Sequence, residues 1–210
     1  FNCHFQYRVF QFTPIHHKNE RTLRMKTGNL MAAFACVLCL GLGDYENFDA
    51  AYKDAQRLQK ENKDTEALTA LQKAEALSQE DWQRYRVFST AANIYLKTRK
   101  LEDAAKQVAV IQALSLNQDQ KIEVNLLNAQ VLIAQKKTAD AAAELRKIIA
   151  VQEDFEPYYL YAGATFSLNQ LNDPGLAGEF IRKFNANKRN KAEWMLNRVK
   201  GMAEKIEKKR

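Results

Sequence analysis

Residues 85–118 read YRVFSTAANIYLKTRKLEDAAKQVAVIQALSLNQ, and two further windows, 48–81 and 122–155, align with this one without gaps. At a spacing of 37 residues Ala55, Ala92 and Ala129 coincide, as do Leu58, Tyr95 and Leu132. Further along, Ala67, Ala104 and Ala141 coincide, and so do Leu71, Val108 and Leu145. Self-similarity at a fixed period of this length marks stacked supersecondary units rather than a single bundle. In each window a small residue is followed by a large one three later, then by a polar turn. A second small residue, a large one four later and Ala74, Ile111 or Ile148 complete the pattern. Ala104, Val108 and Ile111 fall at i, i+4 and i+7, one stripe of a helix. Methyl-sized side chains at the close approach let two helix backbones meet. The stretches Glu61-Asn62-Lys63-Asp64 and Gln135-Lys136-Lys137-Thr138 are short and polar, so the helices they join run antiparallel.

A less regular fourth copy occupies 156–188, with Tyr159, Gly163 and Phe166 on its first helix and Ala177, Ile181 and Phe184 on its second. Its turn is two residues longer. There Asn172-Asp173-Pro174-Gly175 puts Pro174 near the first position of a helix, where the missing N–H goes unused. Met195, Val199, Met202 and Ile206, spaced 4, 3 and 4, predict a last helix over about Lys191 to Lys208. That helix caps the exposed apolar edge of the fourth copy. The composition agrees with an all-α fold: 46% of residues are hydrophobic, only three are proline and seven glycine, and Ala, Leu, Lys, Glu and Gln are abundant. The expected organisation is a repeat domain over 44–188 followed by a basic capping helix in 189–210.

The order of small and large residues resembles the tetratricopeptide repeat, most clearly in Ala92, Tyr95, Ala104 and Val108. The resemblance spans residues 48–187 and is specific for fold rather than partner. Two features depart from that family. The period is 37 rather than the nominal 34, implying longer helices or longer connections, and the usual Trp, Gly and closing Pro are absent from these copies. The resemblance implies a right-handed superhelical α-solenoid whose first helices line a concave groove. Groove positions carried over residue by residue are Tyr52 and Gln56; Ser89, Asn93 and Leu96; Leu126, Gln130 and Ile133; and Leu160 and Ala164. The groove so drawn is polar at its beginning and apolar towards its end. Leu126, Ile133 and Leu160 are either partner contacts or residues buried against neighbouring helices. Of the family's clamp for a free C-terminus, built from paired Lys and Asn, only Asn93 is in place. The implied function is a protein–protein interaction scaffold or adaptor.

All three cysteines (Cys3, Cys36, Cys39) and all three histidines (His4, His16, His17) precede residue 44. The chain beyond that point therefore has no Cys/His zinc site, thiol nucleophile or His-based triad. We expect no catalytic, metal-binding or cofactor-binding residue set, and a protein that is not an enzyme. Cys36-Val37-Leu38-Cys39 has the spacing of a redox pair, but it lies inside an apolar run without the strand and helix that frame such pairs.

Met25-Lys26 and the apolar stretch Leu30 to Leu42 have the layout of a secretory signal over 25–43, too short for a comfortable membrane span. Cleavage after Gly43 releases a chain beginning at Asp44, outside the cytoplasm or in a periplasm. Uncleaved, residues 30–42 act as a signal anchor. In a lipobox-like reading of Ala33-Phe34-Ala35-Cys36, Cys36 carries a lipid, although the apolar run before it is then short and Phe34 fits poorly. Residues 1–24 are aromatic-rich, lack a helical or alternating period and have no initiator Met, which suggests a non-native or untranslated extension with Met25 as the start.

The net charge of +7 is unevenly placed: residues 182–210 hold 11 Lys/Arg against 3 Asp/Glu, whereas 44–181 hold 16 against 21. An alternative function follows from this tail, an accessory module that binds nucleic acid or an anionic surface through its basic C-terminal helix. No aromatic or Gly/Arg pattern accompanies the basic residues in sequence, which favours a solvated helix face over nucleic acid.

Overall fold

The computed structural model describes residues 45–208. The expectations for residues 1–24, for the signal-like segment 25–43 and for Cys36 lie outside the described residues. Among those described, all regular structure is helical, arranged as four successive pairs and a final helix. The first pair is α1 (Phe48–Lys60) and α2 (Asp64–Ala76), and the second is α3 (Asp81–Lys97) and α4 (Leu101–Gln112). The third is α5 (Gln118–Ala134) and α6 (Thr138–Ala150), and the fourth is α7 (Pro157–Asn169) and α8 (Pro174–Ala186). The last described helix is α9 (Glu193–Glu207). Within each pair the two helices pack closely, and each pair packs on the next. No described helix is long and apolar enough to cross a membrane.

The starts of α1, α3 and α5 are written in local chemistry. Asn47 accepts the Ala50 N–H at 3.0 Å. Asn117 and Gln120 form a reciprocal capping box, each side chain accepting the other's backbone N–H at 2.9 Å, and Glu80 with Gln83 does the same ahead of α3. These boxes explain the long period. Helices α3 and α5 are 17 residues each against 13 for α1 and α7, so they begin four residues ahead of the aligned windows at 85 and 122. The second helices of the first three pairs start at 64, 101 and 138, in strict register.

The turns inside the first three pairs are one motif used three times. Asn62, Arg99 and Lys136 sit at φ of 60°, 62° and 64°. The following N–H reaches back five residues: Lys63 to the Leu58 carbonyl (2.9 Å), Lys100 to Tyr95 (2.9 Å) and Lys137 to Leu132 (2.8 Å). This left-handed cap satisfies carbonyls that the helix end would otherwise orphan. Asn tolerates that conformation, whereas a lysine is strained by roughly 1 kcal/mol or more. Lys136→Gly is therefore expected to raise stability by about 0.5 kcal/mol, the relief of strain being partly offset by the extra freedom of glycine in the unfolded chain. Asn62→Gly serves as the comparison, with a smaller change. A lower urea midpoint for Lys136→Gly would contradict this account of the turn.

The small residues of the repeat lie where helices meet. Ala55, Ala67, Ala92, Ala104, Ala129, Ala141 and Ala177 are all 0% exposed. Their large partners Leu58, Leu71, Val108, Leu145 and Ile181 are buried, while Tyr95, Leu132 and Phe166 are half-buried at the margin. Two apolar clusters result, and α5 belongs to both. Val124, Leu127 and Val131 face the cluster built on α1 to α4, whereas Ile122, Leu126 and Ala129 face the one built on α6 to α9. A helix buried on two sides has no single apolar stripe, which is why α5 carries apolar residues on two separate sides with Glu123, Asn125, Asn128 and Gln130 between them.

The fourth pair is joined differently. Phe155, in the connection before α7, is fully buried, and its carbonyl accepts the Asn187 Nδ2–H at 2.9 Å. Asn187, itself buried, also accepts the Arg189 N–H (2.9 Å). This asparagine ties the two connections flanking the fourth pair and aims the chain into α9. Met195, Val199, Met202 and Ile206 of α9 are buried, and the helix packs on both α7 and α8.

Candidate functional site

The residues expected to line a groove are on the first helices, and their exposure divides them. Gln56, Ser89, Leu96, Gln130 and Ile133 are half-buried and Asn93 is exposed, so these six present side chains to solvent. Tyr52 and Leu126 are 6% exposed, and Leu160 and Ala164 are 0% exposed. These four are packing residues in this structure. Leu160 is buried like its counterparts Tyr52 and Leu126, whereas Ala164, unlike its counterparts Gln56, Asn93 and Gln130, is buried by the surroundings of α7. That helix meets α8 through Gly163, whose Cα lies under the Phe180 ring, and it is covered by α9. Its half-buried side is instead occupied by Tyr158, Tyr159 and Tyr161.

Polar contacts fix the accessible stripe. The Ser89 hydroxyl donates to the Arg86 carbonyl (3.2 Å) and Asn93 Nδ2 to the Ser89 carbonyl (2.9 Å). Lys97 Nζ bridges to the preceding pair through Asn62 Oδ1 (3.0 Å) and Asp64 Oδ1 (2.9 Å). Asp81 Oδ2 accepts the Ser115 N–H at 2.9 Å, and that hydrogen bond is the main cause holding its carboxyl below the usual aspartate range. At the other end the Tyr159 hydroxyl donates to Glu123 (3.3 Å). Burial pushes the Tyr158 phenol up, helped by Tyr161 and the Glu123 charge. Ahead of α1 the Tyr45 phenol is raised to about 12 by burial and by its 2.6 Å hydrogen bond to Asp54.

Two exposed tryptophans lie outside the groove positions expected from sequence. Near the start of α3, Trp82 is 41% exposed and meets Phe48 edge-on at 5.8 Å. On α9, Trp194 is 51% exposed and meets Tyr161 edge-on at 5.2 Å. Trp194, Arg198, Lys205 and Lys208 share one flank of α9 by helical spacing, whereas Glu193, Glu204 and Glu207 lie on the other. The basic tail therefore does carry an aromatic side chain on its cationic flank. Among the described residues no group of three or more His, Cys, Asp or Glu is placed to hold a metal ion.

The fold and its accessible stripe define an all-helical array of paired helices with a face of mixed polarity on its first helices. Compared with models of known protein families, with characterised proteins and with solved structures, the chain matches none.

Proposed function

We propose that this chain is an interaction scaffold of the tetratricopeptide type: a right-handed superhelical solenoid that holds a polypeptide against its first helices and does no chemistry itself. The observation that carries the reading is an asymmetry of packing. Each first helix touches the next along the whole array, α1 on α3, α3 on α5, α5 on α7 and α7 on α9, whereas among the second helices only α6 and α8 touch. A layer whose members are close together lies on the inside of a curve, and the more widely spaced layer lies outside. In this reading α9 stands where a fifth first helix would stand, so the concave side runs from α1 to α9. Its accessible residues, Gln56, Ser89, Asn93, Leu96, Gln130 and Ile133, are of mixed polarity, as a surface for an extended or helical peptide is. The absence of Cys and His beyond residue 44 supports binding over catalysis. The signal-like pattern of 25–43 supports work outside the cytoplasm, with residues 30–42 as an anchor if it is retained. Mass spectrometry of the native N-terminus tests that part, an N-terminal Asp44 being the expected result.

The test of the groove is capture of a partner by the chain from Asp44 onward, repeated with Asn93→Arg plus Gln130→Arg. Both positions are accessible, so the double variant is expected to melt like the parent and to lose its partner at least tenfold. Unchanged capture would remove the groove from consideration. The second reading, an anionic surface or nucleic acid on the basic tail, is favoured by Trp194 beside Arg198, Lys205 and Lys208. Arg198→Glu with Lys205→Glu in the same experiment separates the two. Binding that falls steeply with salt and vanishes in this variant alone belongs to α9.

A further inference from the structure

On the first two turns of α1 and α3 four side chains stack on one another. Phe48 and Tyr52 lie face to face, 5.6 Å between centroids with 12° between planes, and Trp82 stands edge-on to Phe48. The Arg86 guanidinium lies over Tyr52 at 4.2 Å, over Trp82 at 5.7 Å and over Phe48 at 6.0 Å. Tyr52 is itself fixed, its hydroxyl sharing a hydrogen bond with Thr90 at 2.9 Å. The rings therefore hold the cation in place through its faces and leave its N–H edge, the part that forms hydrogen bonds, unused. Among the described residues none of the ion pairs and none of the side-chain hydrogen bonds involves that guanidinium. Arg86 is half-buried. With Ser89 and Asn93 it forms an i, i+3, i+7 stripe, so it belongs to the accessible face of α3.

A half-buried guanidinium, immobilised and without a counter-ion among the described residues, is an anion receptor whose ordering has been done in advance. We propose that Arg86, held by Phe48, Tyr52 and Trp82, receives a carboxylate side chain from an acidic segment of the bound polypeptide; the proposal rests on the groove reading above. The planar fork matches a carboxylate, which accepts two parallel N–H bonds. One positive charge balances one carboxylate, whereas a phosphate carries roughly twice that charge at neutral pH and calls for a second cation. The next cation along the stripe, Lys97, is already taken by Asp64 and Asn62. The exposed ring of Trp82 offers an apolar wall beside the fork, so the residue next to the acid is aliphatic or aromatic.

Three pools of end-blocked twelve-residue peptides, randomised except for a central Glu, Gln or phosphoserine, are selected on the immobilised chain from Asp44 onward. The parent protein is expected to enrich the Glu pool about tenfold or more over the Gln pool, the gain a charge-assisted bidentate pair supplies. Arg86→Gln should abolish that preference. Arg86→Lys, which keeps the charge and loses the fork, should abolish most of it while preserving fold, and circular dichroism melts of both variants check that fold. Equal enrichment of the Glu and Gln pools, a preference for phosphoserine, or a Glu preference that survives in both variants would each overturn the proposal while leaving the groove reading intact. If the parent enriches no pool at all, the groove reading itself fails and the carboxylate site falls with it.

Discussion

An arginine in place of Ala104 is expected to lower the unfolding free energy by roughly 3 to 5 kcal/mol, the range for an uncompensated charge forced into a packed interior. Ala104 is 0% exposed on α4, which packs against both α3 and α5, so neither neighbour can yield without opening its own contacts. A side chain that snorkels to water escapes part of the penalty, but at the closest approach of two helices there is no room for its first methylenes. Ala109→Arg on the same helix is the control: Ala109 is exposed, and its substitution should change stability by no more than about 0.5 kcal/mol. Urea titration followed by circular dichroism reads both. Equal midpoints for the two variants would mean that the alanines of the 37-residue register are not the contact points between helices. Because α5 serves both apolar clusters, damage at the α4–α5 junction should loosen the first helices on either side, and partner capture by the Ala104 variant should fall with its stability.

The parts of this fold that a reader of the sequence can recover are those fixed by short-range repetition. Ala55, Ala92 and Ala129 announce one buried slot because three helices place the same face against the same kind of neighbour. The ends of helices are nearly as legible. Asn117 with Gln120 and Glu80 with Gln83 mark where α5 and α3 begin, although the windows at 122 and 85 start four residues later, because a packing motif begins at the first contact and not at the first hydrogen bond. Positions transferred residue by residue from the resemblance divide by register rather than by helix. Tyr52, Leu126 and Leu160 are buried at one shared register, whereas Ala164, the counterpart of the accessible Gln56, Asn93 and Gln130, is buried in the apolar cluster that Phe155 and α9 complete. Those determinants lie in connections and in a helix thirty residues downstream, beyond any local pattern. Arg86 and Trp82 are four apart on α3 and could be paired from spacing alone. Their stack with Phe48 and Tyr52, though, depends on how two successive first helices are turned towards each other.

Gly163 occupies the slot that Ala55, Ala92 and Ala129 fill elsewhere, and there a single methyl group is expected to lower stability by about 1–2 kcal/mol net. A Cβ at this position would lie 2.3 to 2.7 Å from three atoms of the Phe180 ring, closer than any non-bonded carbons approach. Phe180 is 0% exposed, so the ring has no free space to move into, and overpacking of this kind typically costs about 1–3 kcal/mol. Working against it is helix propensity, since Ala is favoured over Gly inside a helix by about 1 kcal/mol. Gly201→Ala isolates that second effect, because a methyl group added there would have nothing within 4 Å. The Gly201 variant should melt higher than the parent and the Gly163 variant lower. The reason for glycine is found in the other half of the pair. Three residues beyond the second small slot the first three copies have Ala70, Gln107 and Glu144, and the fourth has Phe180. A large ring at that register displaces the methyl group opposite. In a Phe180→Ala background, itself less stable by about 3–5 kcal/mol, Gly163→Ala should turn neutral or stabilising, giving a coupling of about 2–3 kcal/mol between the two sites. Additive effects would mean that Gly163 is required for some reason other than the ring, and that the fourth pair does not owe its altered setting to this exchange of a methyl for an aromatic.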